Sequence, residues 1–579
     1  MLTRIQIRKF KRFDDVDMEL GKSVVLIGPN NSGKTTALQA LALWDIGVRR
    51  WNEKRKGKSS PEKRPGVTIN RRDLISIPVP NANLLWRNLH VRDVKRVAEG
   101  GKTSTKTQNI RVEIIVDGIT KDNAWTCGLE FDYANEESFY CRPLRTGDDK
   151  GRMRVPEEVS DVKVAYLPPM SGLADREFIK QTGEIGVLIG QGQTAQVVRN
   201  LCFQIHQQKK ENNYWQEMVD HVRNLFGVQL LPPDYIVERS EITLAYKDEQ
   251  HNTLDLSSSG RGLQQTILLL SHLYSNPGTV LLFDEPDAHL EILRQRQTYN
   301  LLVNVAEQQN SQIIAASHSE IVLNEAAGRD TVIAFVGKPH RMDDRGSQLL
   351  KALRDIGFDQ YYQAEQKGWV LYLENSTDLD ILKSFAKRLN HEAQNYLDMP
   401  FVRYVETNLP QRAEAHFFGL REAKTDLVGI AVFDRLDKPL TTEKGLTELM
   451  WQRREIENYF CMEDVLLAYA RYDLRDDLFG NAEKEHRLKV MREVIKEVSA
   501  ALETLGKGTP WSKDIKASDE FLDPLFKKYF QKLALPLELR KSSYQLLAGF
   551  VPIEKIDPEI TIKLDAIVET AKKARPRED

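Results

Sequence analysis

The segment GPNNSGKTT follows a short apolar run and precedes a stretch with helical periodicity, and its residue types suit the binding of a nucleoside triphosphate. Glycines let backbone N–H groups close around phosphates, and the N-terminus of the following helix favours their negative charge. In the pattern G-x-x-x-x-G-K-[ST], the lysine faces the terminal phosphates and the hydroxyl coordinates Mg²⁺. The residues that we expect to bind the nucleotide are Gly28, Pro29, Asn30, Asn31, Ser32, Gly33, Lys34, Thr35 and Thr36, with Thr35 also a metal ligand.

Two later segments end apolar runs in groups that a nucleotide-hydrolysing site needs. In VLLFDEPDAHL, Asp284 would hold Mg²⁺ and Glu285 would orient the attacking water. In QIIAASHSE, the apolar run ends at Ser317 and His318. A lone histidine in that position is more often a packed core residue. Because it follows two ATPase motifs, we interpret His318 as a residue that senses the γ-phosphate.

The turn SSSGRG opens a helix-like stretch shortly before the DE pair. Such a turn on its own is equally compatible with a simple helix cap. Its place in the order of motifs favours a second nucleotide-binding element. The residues assigned to that element are Ser258, Ser259, Gly260 and Gly262.

These motifs need a sheet and helices to bring them together. The runs VVLI, VLLF and QIIAAS are short, apolar and rich in β-branched residues, which is typical of buried parallel strands. The opening LTRIQIRKFKRFDDVDMEL predicts a β-hairpin, and helical periodicity from about 185 to 226 predicts a helical hairpin. No heptad stretch separates the two groups of motifs, which excludes a long coiled-coil arm.

In this order, the motifs GPNNSGKT, SSSGRGLQQ, LLFDEPDAHL and SHS resemble the ABC-type ATPase heads of the SMC, RecF and OLD families. The resemblance covers residues 1–345 and implies ATP and Mg²⁺ as ligands. It also implies a homodimer or higher homo-oligomer formed through the ATPase heads, since in those families the signature turn of one head completes the ATP site of another. By position, the helical insertion near 185–226 would form a dimer contact.

A second pair of apolar runs, each ending in a carboxylate, begins after residue 365. GWVLYLENSTD places Glu374 at the end of one predicted strand, and GIAVFDRLDK places Asp434 at the end of another. If a helix separates two such parallel strands, both carboxylates lie at the C-terminal edge of one sheet, where α/β ligand sites form. Clustered carboxylates there bind Mg²⁺ or Mn²⁺ with positions left open for phosphate and water.

This arrangement resembles the Toprim domain of OLD-family nucleases over residues 365–470. The motifs of that domain are a glutamate in EGxxD and a DxD pair, which correspond here to Glu374 and Asp378 in ENSTD and to Asp434 in FDRLD. Two positions depart from the family. Asn375 stands where the family has glycine, and Leu436 stands where it has the second aspartate.

Asp437 is the nearest replacement for the missing aspartate. If the strand ends at Asp434 and the chain turns, Asp437 joins the cluster; if the strand continues, the two aspartates face opposite sides. The following RREIENYF offers Glu455 and Glu457 as further ligands. Three interpretations stay open: an active metal site, a Toprim fold with a degraded site, and an unrelated α/β domain.

Composition limits the other classes of function. The chain has 579 residues, 82 Lys+Arg and 84 Asp+Glu, so it is long enough for two to four domains and has no overall basic charge. The basic stretch 49–72 has ten Lys/Arg and two Glu. Such a stretch is most often a solvated loop, and the alternative is a loop that contacts nucleic-acid phosphates.

The expected location is the cytoplasm. The four cysteines show no CxxC spacing, which fits a reducing compartment and argues against a zinc knuckle. No apolar run is long enough to span a membrane, and the start MLTRIQIRKFKRF does not read as a signal peptide. Residues 471–579 predict a helical cap on the second domain, with a frayed basic tail and no chemistry of its own.

The predicted fold class is therefore α/β: an ABC-type ATPase head with a helical insertion, a Toprim-like domain, and a helical C-terminal region. The first hypothesis for function is an ATPase dimer that controls a nuclease acting on nucleic acid; the family resemblance adds a role in bacterial defence against phage. The alternative is an ATP-dependent sensor or scaffold that binds nucleic acid or a protein effector without cutting. A RecF-like repair clamp is a third possibility, which the extra α/β domain makes less attractive.

Overall fold

A computed structural model describes residues 1–55, 66–99, 102–145, 151–208, 212–342, 356–405, 409–437, 440, 445–474 and 477–577. The chain forms two compact units, Met1–Leu350 and Lys351–Glu578, and each is described by itself. The middle of the basic stretch 49–72 lies outside the described residues, as does the predicted boundary near residue 345.

The first unit is a mixed α/β structure. Its strands are β1 (Leu2–Phe10), β2 (Phe13–Glu19), β3 (Ser23–Ile27), β4 (Val67–Asn70), β5 (Arg92–Glu99), β6 (Lys102–Asn109), β7 (Arg111–Thr120), β8 (Asn123–Asn135), β9 (Ser138–Pro143), β10 (Val164–Leu167), β11 (Glu177–Phe178), β12 (Gln229–Leu230), β13 (Asp234–Ile236), β14 (Glu241–Thr243), β15 (Ala245–Lys247), β16 (Thr253–Asp255), β17 (Val280–Asp284), β18 (Gln312–Ser317), β19 (Thr331–Ala334) and β20 (His340–Arg341). Its helices are α1 (Lys34–Arg55), α2 (Thr182–Gly190), α3 (Val198–Gln207), α4 (Tyr214–Phe226), α5 (Arg261–Ser275), α6 (Ile292–Gln308) and α7 (Glu320–Ala326).

A largely parallel sheet carries the nucleotide motifs. Its strand order is β10-β17-β18-β3-β19-β20, and the last pair is antiparallel. The runs predicted as buried strands form β3, β17 and β18, and nearly all of their residues are buried, as expected for a parallel sheet covered on both faces. Asp284 pairs with Ala316, and Ser317 pairs with Ile27. The three motifs that follow these strands therefore meet at one edge of the sheet.

An antiparallel sheet covers the helix that follows the first motif. Its order is β2-β1-β7-β8-β9-β4, and the predicted opening hairpin forms β1 and β2. Residues of α1 share one hydrophobic core with both sheets. The Trp44 indole N–H donates to the Cys127 carbonyl at 3.0 Å and its ring stacks on Trp125. Helix α1 is thus held between the two sheets, which fixes the position of its N-terminus.

The predicted helical hairpin near 185–226 contains three helices rather than two. Helix α2 ends at Gly190, and Gly192 adopts a φ of 76°, a conformation that favours glycine and interrupts the helical stretch. Helices α3 and α4 then pack against α5, the helix that follows the turn SSSGRG. The insertion therefore supports the element that presents this turn.

The second unit contains a four-stranded parallel sheet of order β22-β21-β23-β24. Its strands are β21 (Trp369–Leu373), β22 (Val402–Tyr404), β23 (Val428–Phe433) and β24 (Leu446–Met450). Its helices are α8 (Phe358–Lys367), α9 (Ser376–Arg388), α10 (Gln394–Leu397), α11 (Pro410–Ala423), α12 (Glu463–Arg471), α13 (Leu478–Thr504), α14 (Asp523–Lys532), α15 (Gln545–Ala548) and α16 (Pro558–Lys572), with a π-helical segment Ala517–Leu522. As expected, β21 and β23 are parallel neighbours, but β22 and two further helices join α9 in their connection.

The C-terminal helices share one hydrophobic core with this sheet. The prediction that the basic tail is frayed was wrong for the residues up to Arg577. The backbone N–H of Arg577 donates to the Glu365 carbonyl at 2.9 Å, and its guanidinium pairs with the Glu365 carboxylate. A β-carbon on Gly368 would lie 2.8 Å from the backbone of Arg575. The tail is therefore docked beside the start of β21, where glycine leaves room for it.

Candidate nucleotide site and carboxylate cluster

The loop between β3 and α1 has the backbone geometry of a phosphate-binding loop. Gly33 has a φ of 106°, which other residues rarely adopt, and a β-carbon on Gly28 would lie 2.8 Å from the Phe335 carbonyl oxygen. The Lys34 ammonium donates to the carbonyls of Gly28 and Pro29, both at 2.7 Å. The lysine is thereby held across the loop, at the N-terminus of α1.

Asp284 and Thr35, the two predicted Mg²⁺ ligands of this site, are brought together. The Thr35 hydroxyl donates to Asp284 Oδ1 at 3.1 Å, and the Tyr166 hydroxyl donates to Asp284 Oδ2 at 3.2 Å. Burial raises the pKa of Asp284 to about 6, while the two hydroxyl groups act in the opposite direction. No motif marks Tyr166 in the sequence, because it belongs to β10, far from the nucleotide motifs along the chain.

Glu285 turns out of the strand at the next position. It adopts a φ of 52°, and its backbone N–H donates to the Ala316 carbonyl at 2.9 Å. A non-glycine residue in this conformation is uncommon and tends to occur at functional sites. Glu285 thus leaves the strand in a strained backbone conformation directly after Asp284.

His318 lies directly after β18 and is exposed, which rules out a packed core histidine. Its neighbour Asp287 was not predicted from the sequence. Burial raises the pKa of Asp287, whereas a hydrogen bond from Ser317 and the charge of His318 lower it. The histidine and this buried aspartate therefore interact at the same edge of the sheet as Glu285.

The turn SSSGRG is largely exposed, and hydrogen bonds from its serine hydroxyls join it to the residues just before it. The hydroxyl of Ser258 donates to the Asp255 carbonyl at 2.6 Å, and that of Ser259 donates to the Leu256 carbonyl at 2.7 Å. A β-carbon on Gly260 would meet no atom within 4 Å, and one on Gly262 would make only an ordinary contact at 3.4 Å. The fold of this unit therefore does not itself require glycine at residue 260.

In the second unit, Glu374 and Asp434 follow two neighbouring parallel strands, with Tyr372 paired to Ala431. Burial raises the pKa of Asp434 to about 9. The next causes are the negative charges of neighbouring carboxylates, of which Glu374 acts most strongly. The predicted residues that raise the pKa of Asp434 are Glu374, Asp378, Glu457 and Glu455. Together with Asp434, these four side chains form what is called the carboxylate cluster below.

Glu455 and Glu457 are buried members of this cluster. Burial raises the pKa of Glu457 to about 8, with further increases from Glu455 and Asp378 and a decrease from Lys541. Glu455 accepts hydrogen bonds from the backbone N–H and the hydroxyl of Ser518, the latter at 3.0 Å. Both glutamates thus face the same region from the segment RREIENYF.

Residues 471–579 contribute to this region, contrary to the expectation that they carry no chemistry. Ser518 lies in the π-helical segment and is fully buried, and the Lys541 ammonium donates to its hydroxyl at 3.1 Å. The negative charges of Glu457 and Glu455 raise the pKa of Lys541, against the effect of burial. No motif marks either residue, because packing of the C-terminal helices brings them here.

Asp378 and Asp437 have different surroundings. Burial raises the pKa of Asp378 to about 6, and its Oδ2 accepts the backbone N–H of Asn375 at 3.0 Å. Asn375, which stands where the Toprim motif has glycine, is thus the N-cap residue of α9. Strand β23 ends before Asp434, as one of the two alternatives required, but Asp437 is exposed, whereas Asp434 is half-buried.

The donor set suits a hard divalent cation, but its oxygens do not converge in this conformation. In the described ranges, no three His, Cys, Asp or Glu side chains are placed to hold one metal ion. This agrees with the mutual pKa effects, because charges act over longer distances than a metal–oxygen bond of about 2.0–2.6 Å. Binding of an ion to the carboxylate cluster would therefore need side-chain rotation.

Two family models match parts of the first unit. Residues 1–45 match the AAA ATPase domain, and residues 205–324 match the model described as AAA domain, putative AbiEii toxin, Type IV TA system. A further segment of 43 residues is 44% identical to an OLD nuclease of Thermus scotoductus, covering 7% of this chain and 8% of that protein. These matches support an AAA/ABC-like ATPase in the first unit. ATP and Mg²⁺ are the usual ligands of such domains.

Two solved SMC structures show a weaker likeness. The SMC head domain from Thermotoga maritima is 13% identical with a TM-score of 0.31, covering 59% of this chain and 98% of that chain. A Smc head domain bound to the C-terminal domain of ScpA, derived from Pyrococcus furiosus, is 12% identical with a TM-score of 0.35, covering 61% of this chain and 99% of that chain.

Among the described helices, none is long and apolar enough to cross a membrane.

Proposed function

We propose that this chain is an ATPase that acts as a homodimer and controls a metal-dependent nuclease site in its second unit. The observation that carries the nuclease proposal is the carboxylate cluster at the C-terminal edge of the parallel sheet. The short match to an OLD nuclease supports the same substrate class, nucleic acid, and the family resemblance suggests a role in defence against phage.

The turn SSSGRG, which corresponds to the signature turn of the families that the chain resembles, supports a nucleotide site shared between two copies. Ser258 and Gly260 are exposed, and the fold of one copy leaves open space where a Gly260 side chain would lie. An exposed glycine turn with backbone N–H groups at the start of α5 is suited to the phosphates of a nucleotide bound elsewhere. The turn would therefore complete the nucleotide site at the phosphate-binding loop of a second copy.

The carboxylate cluster supports phosphodiester hydrolysis through its charge. Burial and the negative charges of neighbouring carboxylates raise the pKa of Asp434, Glu457 and Asp378, so a divalent cation would relieve this repulsion. Glu374, Asp434 and Glu457 would hold it, and Glu455 is oriented by Ser518. A bound divalent ion would supply the positive charge that activates water and stabilises phosphate oxygens.

A sensor or scaffold that does not cut is the second candidate, and two observations favour it. The carboxylate oxygens do not converge on one point among the described residues. Leu436 occupies the position of the second aspartate of the family motif, and Asp437 is exposed. In this alternative the second unit binds nucleic acid or an effector protein under the control of ATP.

A cleavage assay separates the two candidates. Purified protein is incubated with single- and double-stranded DNA and RNA, with Mg²⁺ or Mn²⁺, and with or without ATP. The nuclease proposal expects cleavage that Asp434→Asn abolishes while ATP turnover stays nearly unchanged, because the variant alters only the second unit. Asp437→Asn is the matched control, since it removes an exposed carboxylate from the same loop and should cut normally.

Binding of a substrate without cleavage under every condition would favour the sensor. Equal cleavage by wild type and Asp434→Asn would place the nuclease activity elsewhere or in a contaminant. Loss of cleavage in both Asp434→Asn and Asp437→Asn would point to damage of the whole loop.

A further inference from the structure

One loop of the second unit lies beside the carboxylate cluster without contributing a carboxylate to it. It comprises residues 506–516 and joins α13 to the π-helical segment. It begins with Gly506 and Gly508, whose φ angles are 71° and 77°. Glycine in this conformation is common where a helix ends, and the chain turns here out of α13. The segment is called the tryptophan loop below, after Trp511.

Hydrogen bonds hold the tryptophan loop against the segment that carries Glu455 and Glu457. The backbone N–H of Arg454 donates to the Lys513 carbonyl at 2.8 Å. The side-chain amide of Asn458, which is buried, donates to two further carbonyls of the loop at 3.0 and 3.2 Å. The backbone of the loop is therefore fixed beside two members of the carboxylate cluster.

The segment after β23 contacts the same loop. Arg435 follows Asp434, and its backbone N–H donates to the Arg454 carbonyl at 3.2 Å. The guanidinium of Arg435 pairs with Asp514 of the loop at 2.7 Å. The tryptophan loop thus contacts the residue next to Asp434 as well as the residue next to Glu455.

Two basic side chains at this junction have no ion-pair partner among the residues that the structure describes. They are Arg454 and Lys513, and both are exposed. The other two lysines of the loop, Lys507 and Lys516, pair with carboxylates at 2.8 and 2.7 Å. Unpaired cations beside a proposed nuclease site are suited to phosphate groups, which arginine binds through two parallel hydrogen bonds and lysine binds as a point charge.

Trp511 adds an aromatic surface close to Lys513. The two Cα atoms lie within about 7.6 Å of each other, because consecutive Cα atoms are about 3.8 Å apart. The Trp511 ring makes a T-shaped contact with Phe521, with 5.4 Å between centroids, and the residue is 38% exposed. The other seven tryptophans of the chain are buried. Bases stack on such rings in single-stranded nucleic acids, where neighbouring base pairs do not cover their faces.

We propose that the tryptophan loop binds an unpaired strand of nucleic acid and positions it at the carboxylate cluster. A base stacks on Trp511, and Arg454 and Lys513 contact the phosphates beside it. The substrates are then single strands, overhangs or flaps, and a continuous duplex binds less tightly because its base faces are covered. This inference rests on the proposal that the second unit acts on nucleic acid, and it specifies the form of that substrate.

The test measures binding of fluorescein-labelled oligonucleotides to the full chain by fluorescence anisotropy. The probes are oligo(dT), oligo(U) and a blunt DNA duplex, each of about 20 nucleotides per strand, which is longer than a typical single-strand site. EDTA is present, so that metal-dependent cleavage does not contribute. We expect the wild type to bind at least one of the two single strands at least about fivefold more tightly than the duplex, and their comparison shows whether DNA or RNA is preferred.

Substitutions of Trp511 separate stacking from packing. Trp511→Leu should bind the preferred single strand at least about fivefold more weakly than the wild type, because leucine keeps an apolar contact with Phe521 but offers no ring for a base. Trp511→Phe should keep most of the affinity. Duplex binding should change by less than about twofold in both variants, because no base of the duplex stacks on the ring.

Substitutions of the two unpaired cations test the phosphate contacts. Arg454→Gln and Lys513→Gln should each weaken binding and reduce the slope of log affinity against log salt by about 0.7. They also carry the test if Trp511→Leu does not fold. Lys573→Gln is the matched control and should bind as the wild type does. It removes an exposed lysine two residues before Arg575, which lies beside the start of β21 and so at the opposite edge of the sheet.

Four results would overturn the proposal: no binding by the wild type, equal affinity for single strand and duplex, undiminished single-strand binding by Trp511→Leu, and an equal loss in Lys573→Gln. Failure of the nuclease proposal is distinguishable. A wild type that binds as expected but never cleaves with Mg²⁺ or Mn²⁺ would retain the role of the loop and remove the nuclease. Equal cleavage of subsaturating single strand by wild type and Trp511→Leu would retain the nuclease and remove the role of the loop.

Discussion

The nucleotide site and the carboxylate cluster both lie at the C-terminal edge of a parallel sheet, but they are assembled differently. The phosphate-binding loop is one continuous segment, 28–36, whose backbone is fixed by two glycines. The carboxylate cluster draws on segments from 374 to 457, and Ser518 and Lys541 join it from the C-terminal helices. A local motif thus builds the first site, whereas tertiary packing builds the second.

The two regions also differ in electrostatic balance. In the first, Lys34 lies near Asp284, and two hydroxyl groups donate to that aspartate. In the second, neighbouring carboxylates add to burial and raise the pKa of Asp434 to about 9. The nucleotide site is therefore organised before its ligand binds, while the five carboxylates of the carboxylate cluster outnumber the nearby positive charge of Lys541. Each of the following predictions tests one side of this contrast.

The largest expected effect is on ATP hydrolysis by Glu285→Gln. The variant should keep ATP binding and lose turnover by about 10²–10³-fold, because it removes the carboxylate that orients water but not the phosphate-binding groups. It should also accumulate as an ATP-bound dimer in size-exclusion chromatography. Lys34→Ala should instead weaken ATP binding itself. Glu291→Gln, which alters an exposed carboxylate, is the control. Wild-type turnover in Glu285→Gln would refute the assignment of Glu285.

An intermediate effect is expected for Gly260→Leu in the signature turn. The chain has open space at this position, so the variant should fold and bind ATP, but its hydrolysis should fall at least about tenfold because the side chain blocks a neighbour's site. Mixing it with Lys34→Ala should restore part of the activity, since one site of the heterodimer then has an intact loop and an intact turn. Verified heterodimers without any recovered turnover would indicate a site formed within one chain.

The smallest expected effect is on the pH dependence of thermal stability. Asp434 has a folded pKa of about 9, above its ordinary value of 3.8, so the folded state retains a proton that the unfolded state loses. Its contribution to stability is complete below about pH 4 and is lost as the pH rises towards about 9. The melting temperature of the second unit should fall by a few degrees between about pH 6 and 9, and less in Asp434→Asn. An equal decline in both proteins would contradict the raised pKa.

The sequence predicted the parts of this contrast that depend on local motifs. Gly28 to Thr36, Asp284 and Glu285 follow strands that were evident as apolar runs, and the order of motifs indicated the type of ATPase. The sequence also indicated that Glu374 and Asp434 end neighbouring strands, because each follows a buried run. These features need only a few consecutive residues to be recognised.

The remaining features depend on contacts between segments that are distant along the chain. Tyr166 reaches Asp284 from β10, and Ser518 reaches Glu455 from the π-helical segment. Asp437 was a reasonable candidate by spacing, but its exposure follows from the loop conformation after β23, which spacing does not determine. The docked tail at Arg577 was missed because its charges suggested solvation, whereas the buried Glu365 provides its partner.

The most direct test of the central claim is crystallographic location of Mn²⁺ by its anomalous signal in protein soaked with Mn²⁺ and an ATP analogue. We expect one peak beside Thr35 and Asp284, and at least one more within about 2.2 Å of carboxylate oxygens from Glu374, Asp434 or Glu457. The first peak serves as an internal control for metal occupancy. A strong peak at the nucleotide site with none at the carboxylate cluster would contradict the nuclease proposal and favour a sensor.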